Sequence, residues 1–396
     1  MATGVTAPLG FRAAAVAAGI KAGQPDLALV VADAPCAAAG VFTTNLVQAA
    51  PVLVSREHLA GGCARAIVVN AGCANAGTGE AGLADARETA EIVARTVGCA
   101  IEQVVVASTG VIGVRLPMEK LRAGIAEAAR RISRHAGADA AQAILTTDTK
   151  PKQVMVEFPN GDEACVVGGM AKGAGMIAPN LATMLAFFTT DAAVEPALLR
   201  RALVQAVGRS LNRITVDGDT STNDCAIVLA SGARVAPRID HDGPAFEAFQ
   251  AALAEASARL AEMLVRDGEG VTKVARIEVE GARTAADADR IARTIAESPL
   301  VKTALHGGDP NWGRVLAAVG RAGVPLDVGR VSIWIGNVHV AAGGAVLEYE
   351  ESTAAAAMQQ DPVHLRVRLG EGDASGWLWT SDLSRGYVDI NAHYRS

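Results

Sequence analysis

The chain has 396 residues, of which 50% are hydrophobic and 20% are charged, so it is long enough to bury one large core or several ordinary ones. Its formal net charge is −6, and aromatic residues make up only 4% of it. Because nucleic acids and anionic membranes attract positive surfaces, and base stacking needs aromatic side chains, this composition argues against nucleic-acid and membrane partners.

In chain order, apolar periodicity predicts strands at 27–32 and 66–70, a helix at 83–97, a strand at 103–108, a helix at 118–134, strands at 153–158, 164–168 and 184–189, a helix at 196–210, a strand at 225–230, a helix at 245–265, a strand at 274–280, a helix at 285–297, and strands at 330–335 and 364–369. This mixture favours α/β or α+β layers over a strictly alternating barrel. A composition shift near 280–285 predicts a main domain at 1–280 and a smaller one at 281–396.

Cysteine usage and hydropathy bear on the compartment. Six cysteines are spread without C-x-x-C or zinc-like spacing, so we predict no metal site and a reduced, cytoplasmic protein. The apolar stretch 13–20 is too short to span a bilayer, and Arg12 alone before it is not a basic leader. We therefore expect neither a membrane span nor a secretory signal.

The common catalytic templates do not occur in the chain. It contains no G-x-x-x-x-G-K-[ST], G-x-S-x-G or H-E-x-x-H, and its seven histidines are isolated. The acidic run 217–224 begins like a calcium loop but lacks the glycine at the sixth position and the acidic residue at the twelfth. We interpret that run as a polar turn.

The most unusual segment is 168–191, in which a glycine-rich approach carries Lys172 and an apolar run has Thr183 near its start. A loop entering a buried strand, with Thr183 in the core, explains this composition. A second interpretation makes Thr183 a nucleophile, since cutting the bond before it would free an α-amine to act as the base. The ordinary pKa of such an amine is about 7.7–8.0, close to physiological pH.

Residues 172–191 resemble the K-G-x-G-M-I-x-P-N-x-A-T-M-L motif of the ornithine acetyltransferase family, the glutamate N-acetyltransferases of arginine biosynthesis. The resemblance extends nearly end to end, through 40–45, 70–75, 108–113, 146–149, 213–224, 267–270, 309–314 and 391–396. It implies a layered αββα sandwich of the self-cleaving N-terminal-nucleophile type, with a smaller C-terminal domain whose tail returns to the active site.

The resemblance also implies a mechanism. Self-cleavage between Ala182 and Thr183 would leave an alpha chain, 1–182, and a beta chain, 183–396, that assemble as a heterotetramer of two each. Thr183 would take the acetyl group of N2-acetyl-L-ornithine as an ester and pass it to L-glutamate. No cofactor is implied, and use of acetyl-CoA as an additional co-substrate stays open.

Site residues follow from the same resemblance. Thr109 and Gly110 would form the oxyanion hole. The substrate-binding positions are Thr146, Lys172, Thr183, Glu269, Asn391 and Ser396. From their charges we assign Lys172 to the substrate α-carboxylate and Glu269 to the ornithine ammonium. We expect Asp309 and Arg314 to form a structural ion pair.

Four positions depart from the family pattern, namely Leu46, Gln48, His306 and His393, and they bear on substrate range. Two other functions stay open from the sequence. An amidase or aminopeptidase would use the same N-terminal threonine but pass the acyl group to water. A non-enzymatic binding protein with a glycine-rich ligand loop would not cleave itself at all.

Overall fold

The computed structural model describes residues 2–178 and 184–393. It divides into two compact units. Among the described residues, the first runs up to Asn212 and includes Asp219–Leu264, and the second consists of Arg213–Gly218 and residues 265–393.

The strands, in chain order, are β1 (Phe11–Val16), β2 (Leu27–Phe42), β3 (Cys63–Cys73), β4 (Val104–Val111), β5 (Lys152–Asn160), β6 (Glu163–Lys172), β7 (Leu185–Thr190), β8 (Ile214–Thr215), β9 (Cys225–Ala230), β10 (Val274–Ala282), β11 (Ser332–Ile335), β12 (Val338–Ala342), β13 (Ala345–Val346), β14 (Val363–Arg368) and β15 (Ala374–Ser381). The helices are α1 (Ala50–His58), α2 (Gly79–Val97), α3 (Met118–Arg130), α4 (Gly137–Ala143), α5 (Pro196–Gly208), α6 (Pro244–Arg266), α7 (Ala285–Ala296), α8 (Pro299–Gly307), α9 (Trp312–Gly320), α10 (Glu351–Ala357) and α11 (Arg385–His393).

The first unit is built on one folded sheet with the strand order β4-β3-β2-β9-β7-β6-β5, with β1 paired to β2. The pairs β3/β4 and β7/β9 are parallel. Alternate residues of β2 point to opposite faces, so Val30 joins one buried cluster while Leu29 joins another. The cluster of Val30 also contains Phe187 and Ile227, so the inner faces of the two halves of the sheet share one core.

Helices cover the outer faces of this folded sheet. Val54 of α1, Val93 of α2 and Leu121 of α3 pack on the half that contains β2, β3 and β4. On the other half, Phe249 of α6 lies against Phe158 of β5, with ring centroids 5.7 Å apart. This arrangement confirms the predicted αββα layering.

The second unit has its own sheet, with the order β13-β12-β11-β14-β10-β15-β8. Helix α7 covers it because Ala288, Ile291 and Ile295 follow the helical repeat and are all buried. The helix begins at Thr284, whose side-chain oxygen accepts the Asp287 N–H. The sheet and helix share a single buried cluster.

Several details differ from the sequence expectations. Strand β10 pairs with β14 and β15, both later in the chain, so the second unit begins at Val265 and not after residue 280. Asp309 and Arg314 form no ion pair among the described residues, since Arg314 donates to the Leu300 carbonyl at 2.9 Å. The apolar stretch 13–20 contributes to β1. No helix within 2–178 or 184–393 combines the length and apolarity needed to cross a bilayer.

Candidate active site

The ends of β3 and β4 approach each other closely at a pair of glycines. Gly72 and Gly110 are register partners, and both have positive φ angles, of 107° and 127°. A Cβ atom on Gly110 would lie 2.3 Å from the carbonyl carbon of Gly72, so only glycine fits there. The register shifts after this pair, which bends the strands and redirects the backbone next to Thr109.

Lys172 ends β6 and is bonded to Thr109. Its side chain is buried, with the residue 6% exposed, and its Nζ donates to Thr109 Oγ1 at 3.0 Å. An ammonium group can only donate, so the Thr109 oxygen is the acceptor and the hydroxyl proton stays available for a second acceptor. The structure thus brings together three predicted site residues, Thr109, Gly110 and Lys172.

Asp148 connects Thr146 to this group. Its side chain is fully buried and accepts the Thr146 N–H at 3.2 Å, the Gly173 N–H at 2.6 Å and Lys152 Nζ at 2.7 Å. Burial alone would raise the pKa of Asp148, but the charges of Lys172 and Lys152 and these hydrogen bonds hold it below its ordinary value. Asp148 is therefore ionised at neutral pH and fixes the Thr146 backbone beside the end of β6.

Asp224 is a second buried carboxyl group, immediately before β9. It is 2% exposed, it accepts the backbone N–H of Met184, and its Oδ2 has no hydrogen-bond partner among the described residues. Burial raises the pKa of Asp224 well above its ordinary value, and the hydrogen bond with the Ser221 side chain and the charge of Lys172 only partly offset this. The neutral acid is therefore favoured, in contact with the residue that follows Thr183 in the chain.

Asp148 and Asp224 are the functional candidates that sequence reasoning missed. Both lie in blocks that carried the family resemblance, and Asp224 also belongs to the run that was interpreted as a polar turn. Their burial, and not their local sequence, distinguishes them. Within the described residues, no group of three or more His, Cys, Asp or Glu side chains is arranged to hold a metal ion.

In the second unit, Glu269 and Asn391 form a pair. Glu269 is 8% exposed, and Asn391 Nδ2 donates to its Oε2 at 2.8 Å. Gly270 has a φ of 66°, and a Cβ atom there would lie 2.2 Å from the Tyr387 nitrogen, so the loop and helix α11 approach as closely as a glycine allows. Ser384 Oγ donates to the Gly270 carbonyl at 2.5 Å. The C-terminal helix is therefore docked on the Glu269 loop.

His306, one of the positions that depart from the family pattern, supports the same loop. Its Nδ1 lies 2.8 Å from Oδ2 of Asp382, whose carboxylate also accepts the N–H groups of Thr272 and Lys273. Burial opposes ionisation of Asp382, but these hydrogen bonds, led by the Thr272 side chain, hold its pKa below the ordinary value.

The other three departures lie in peripheral contacts. The side chain of Leu46 is exposed, Gln48 Nε2 donates to the Thr43 carbonyl at 3.0 Å, and His393 Nδ1 lies 2.8 Å from the Asp389 carbonyl oxygen. Ala182, Thr183 and Ser396 lie outside the described residues, so their roles stay predictions. The same holds for the substrate contacts of Thr146, Lys172, Glu269 and Asn391.

Comparison with known proteins places the chain in a family. The model of the ArgJ family matches residues 12–396. The chain belongs to the ArgJ family. It is 49% identical to the arginine biosynthesis bifunctional protein ArgJ of Symbiobacterium thermophilum, over 100% of this chain and 99% of that relative. The ArgJ of Methylococcus capsulatus is 50% identical over 98% of this chain and 95% of its own length.

The chain is also similar to a solved structure of an ArgJ protein. The crystal structure of the arginine biosynthesis bifunctional protein argJ from Bacillus halodurans is 40% identical to this ArgJ-family chain, with a TM-score of 0.52. The match covers 54% of this chain and 100% of that one. The family resemblance predicted from the sequence is confirmed.

Proposed function

We propose that this ArgJ-family chain is an acyltransferase of arginine biosynthesis that moves the acetyl group of N2-acetyl-L-ornithine to L-glutamate. The observation that carries the proposal is the contact of Lys172 with Thr109 beside the Gly110 bend, which leaves a hydroxyl proton available next to a redirected backbone. Relatives that match over nearly their whole length are named for arginine biosynthesis, which supports the pathway.

Thr183 is the nucleophile of this mechanism, after self-cleavage between Ala182 and Thr183. Its free α-amine takes the Oγ proton as Oγ bonds to the acetyl carbon. The proton then passes to the departing nitrogen, ornithine leaves, and an acetyl-threonine ester remains. The amine of glutamate attacks the ester, and N-acetylglutamate leaves as the Thr183 hydroxyl is restored.

Both half-reactions pass through a tetrahedral oxyanion, which Thr109 and Gly110 stabilise. The Thr109 O–H and the Gly110 N–H are the donors, and Lys172 polarises the Thr109 hydroxyl by donating to its oxygen. In other enzymes, one such donor lowers the free-energy barrier of the reaction by about 3–4 kcal/mol. The buried ammonium of Lys172 adds favourable charge at the same position.

The substrate contacts are those expected for a zwitterionic amino acid. Thr146, Lys172, Asn391 and Ser396 bind the substrate backbone, and the Glu269 carboxylate receives the ammonium of ornithine. The hydrogen bond between Asn391 and Glu269 supports a shared role for these two side chains.

A second acetyl donor is part of the proposal. The relatives are named bifunctional, and we infer that the chain also transfers acetyl from acetyl-CoA to glutamate, as an amino-acid N-acetyltransferase. Radiolabelled acetyl-CoA with glutamate tests this inference. Labelled N-acetylglutamate supports it, and its absence restricts the enzyme to the exchange reaction.

We further propose that the alpha and beta chains form a heterotetramer of two each, in the cytoplasm. All six cysteines are free, which is typical of a reducing compartment.

The exchange reaction is tested by ornithine release from N-acetylornithine with and without glutamate. We expect steady release only when glutamate is present, with ping-pong kinetics. Release at the same rate without glutamate would instead identify the amidase or aminopeptidase alternative, in which water is the acyl acceptor.

A further inference from the structure

A buried aspartate fixes the loop before β2. Asp26 accepts the backbone N–H groups of Ala18 at 2.6 Å, Ile20 at 2.5 Å and Lys21 at 2.8 Å. Three hydrogen bonds to one carboxylate hold the backbone of Lys21 in place. The loop that carries Lys21 is therefore anchored through its backbone.

The Lys21 side chain lies beside the glycine pair of the candidate site. A Cβ atom on Gly72 would come within 2.9 Å of Lys21 Cγ, and Gly72 is the register partner of Gly110. At its far end, Lys21 Nζ donates to the Leu145 carbonyl at 2.8 Å, directly before Thr146. The ammonium thus lies between the predicted oxyanion hole and a predicted substrate-binding residue.

No carboxylate of the described residues forms an ion pair with Lys21, and its ammonium group donates to the Leu145 carbonyl. The pKa of Lys21 is lowered chiefly by burial and also by the charge of Lys172, against the opposing charges of Asp26 and Asp148. A half-buried ammonium without an ion-pair partner is costly until an anion binds. Two of its three donors can still serve such an anion.

The charges around Lys21 also favour binding of an anion. Three lysines, Lys21, Lys152 and Lys172, lie around the ionised Asp148, and Asp26 is occupied by backbone N–H groups. Burial raises the pKa of Asp224, which opposes negative charge on it. A chain with a net charge of −6 has therefore concentrated positive charge at one site.

We propose that Lys21 is the principal partner of the α-carboxylate of both amino-acid substrates, the role that residue charge alone assigned to Lys172. The inference rests on the proposed function for the identity of the ligand. In each substrate, the carboxylate and the reacting nitrogen are attached to the same carbon, so the carboxylate must lie beside the oxyanion hole. Lys21 is placed there by Gly72, and Lys172 is engaged with Thr109 in the hole itself.

The test compares Lys21→Met, Lys21→Gln and Lys21→Arg with a matched control, Lys120→Met. Lys120 also donates to a carbonyl, that of Gly19 at 2.6 Å, but it is exposed. We expect the two neutral variants to raise KM at least tenfold for both N-acetylornithine and glutamate, with kcat within threefold of wild type. Lys21→Arg should restore most of the loss, and Lys120→Met should change neither constant.

Binding of L-ornithine, measured by calorimetry, separates this inference from the proposed function. Tenfold weaker binding to folded Lys21→Met or Lys21→Gln supports the carboxylate site even if the wild-type chain transfers no acetyl group. Unchanged binding, a KM effect on glutamate alone, or an equal effect of Lys120→Met would overturn it. N-acetyl-1,4-diaminobutane, which lacks the carboxylate, should react equally poorly with wild type and Lys21→Met.

Discussion

Each compact unit buries a lysine at a strand end, and the two lysines have different surroundings. Lys302 is 3% exposed and donates to Thr380 Oγ1 at 3.3 Å, to Ser381 Oγ at 3.2 Å and to the Ser381 carbonyl. Its three donors are all engaged by adjacent residues of β15. The charges acting on it are those of Asp382, Asp217 and Glu297, all carboxylates.

Lys172 is buried to a similar degree, but two further lysines act on the same group of residues. The hydrogen bonds and negative charge around Lys302 mark it as a structural residue that connects α8 to β15. Lys172 instead belongs to a group of mixed charge, in which it acts on the carboxyl groups of Asp148 and Asp224. Burial of a lysine therefore does not by itself indicate a function. The charges and hydrogen bonds of the neighbouring residues must also be considered.

Replacing each lysine with methionine gives the largest contrast. Lys172→Met should lower kcat by about 10²–10³, because it removes the group that polarises Thr109 and a charge beside the oxyanion. Lys302→Met should leave kcat within about twofold of wild type, by the same logic. Steady-state kinetics at saturating substrate, on variants of verified fold, measures both. Equal kcat losses in the two variants would refute the distinction.

The pH dependence of stability tests the burial of Lys302. Burial lowers the pKa of Lys302 from 10.5 to about 8, so between these values the unfolded chain holds more protons than the folded one. Stability should therefore rise with pH across this window, by on the order of 3 kcal/mol relative to Lys302→Met. Denaturant unfolding of both proteins from pH 7 to 10.5 gives the difference. If the difference in free energy of unfolding between the two proteins stayed constant or fell with pH, the lowered pKa of Lys302 would be contradicted.

Each lysine bonds a threonine, and these hydroxyl groups give the next contrast. Thr109→Val should reduce kcat by about 10², the effect of losing one oxyanion donor. Thr380 Oγ1 instead donates to the Ala296 carbonyl at 2.8 Å. Thr380→Val should lower the free energy of unfolding by about 1–3 kcal/mol with kcat preserved. If the folded Thr380→Val variant lost activity, a purely structural role for the Lys302–Thr380 pair would be contradicted.

Two buried carboxyl groups give the smallest effects. Asp224→Asn should change the free energy of unfolding by less than about 1 kcal/mol, because burial already favours the neutral acid there. Asp382→Asn should cost about 1–3 kcal/mol, because hydrogen bonds from Thr272 and Lys273 stabilise its ionised form. Denaturant unfolding at neutral pH measures both. If Asp224→Asn lowered the free energy of unfolding more than Asp382→Asn did, the difference proposed between these two carboxyl groups would be contradicted.

Much of the fold was predictable from local sequence. Helix α7 was predicted because its apolar residues follow one helical face, and β4 because of its run of β-branched residues. Strand β1 was missed because its alanines have weak strand preference, and pairing with β2 decides its conformation. The short strands β8 and β13 likewise depend on their partners.

The candidate site was predictable only where glycine or a family motif marked it. Gly110 was predicted, and its close approach to Gly72 supplies the physical reason. Lys21, Asp148 and Asp224 were not predicted, because their burial and some of their contacts depend on distant segments, as when the Gly173 N–H donates to Asp148. Lys21, for example, bonds a carbonyl 124 positions away, which no local pattern reveals.

The central claim is that Thr183 becomes a nucleophile when the bond before it is cut, and the most direct measurement is the mass and N-terminal sequence of the purified, active protein. The account predicts two fragments, 1–182 and 183–396, the second beginning Thr-Met-Leu-Ala. Thr183→Ala should stay a single inactive chain. Active protein with one unbroken chain of 40.4 kDa would contradict the account.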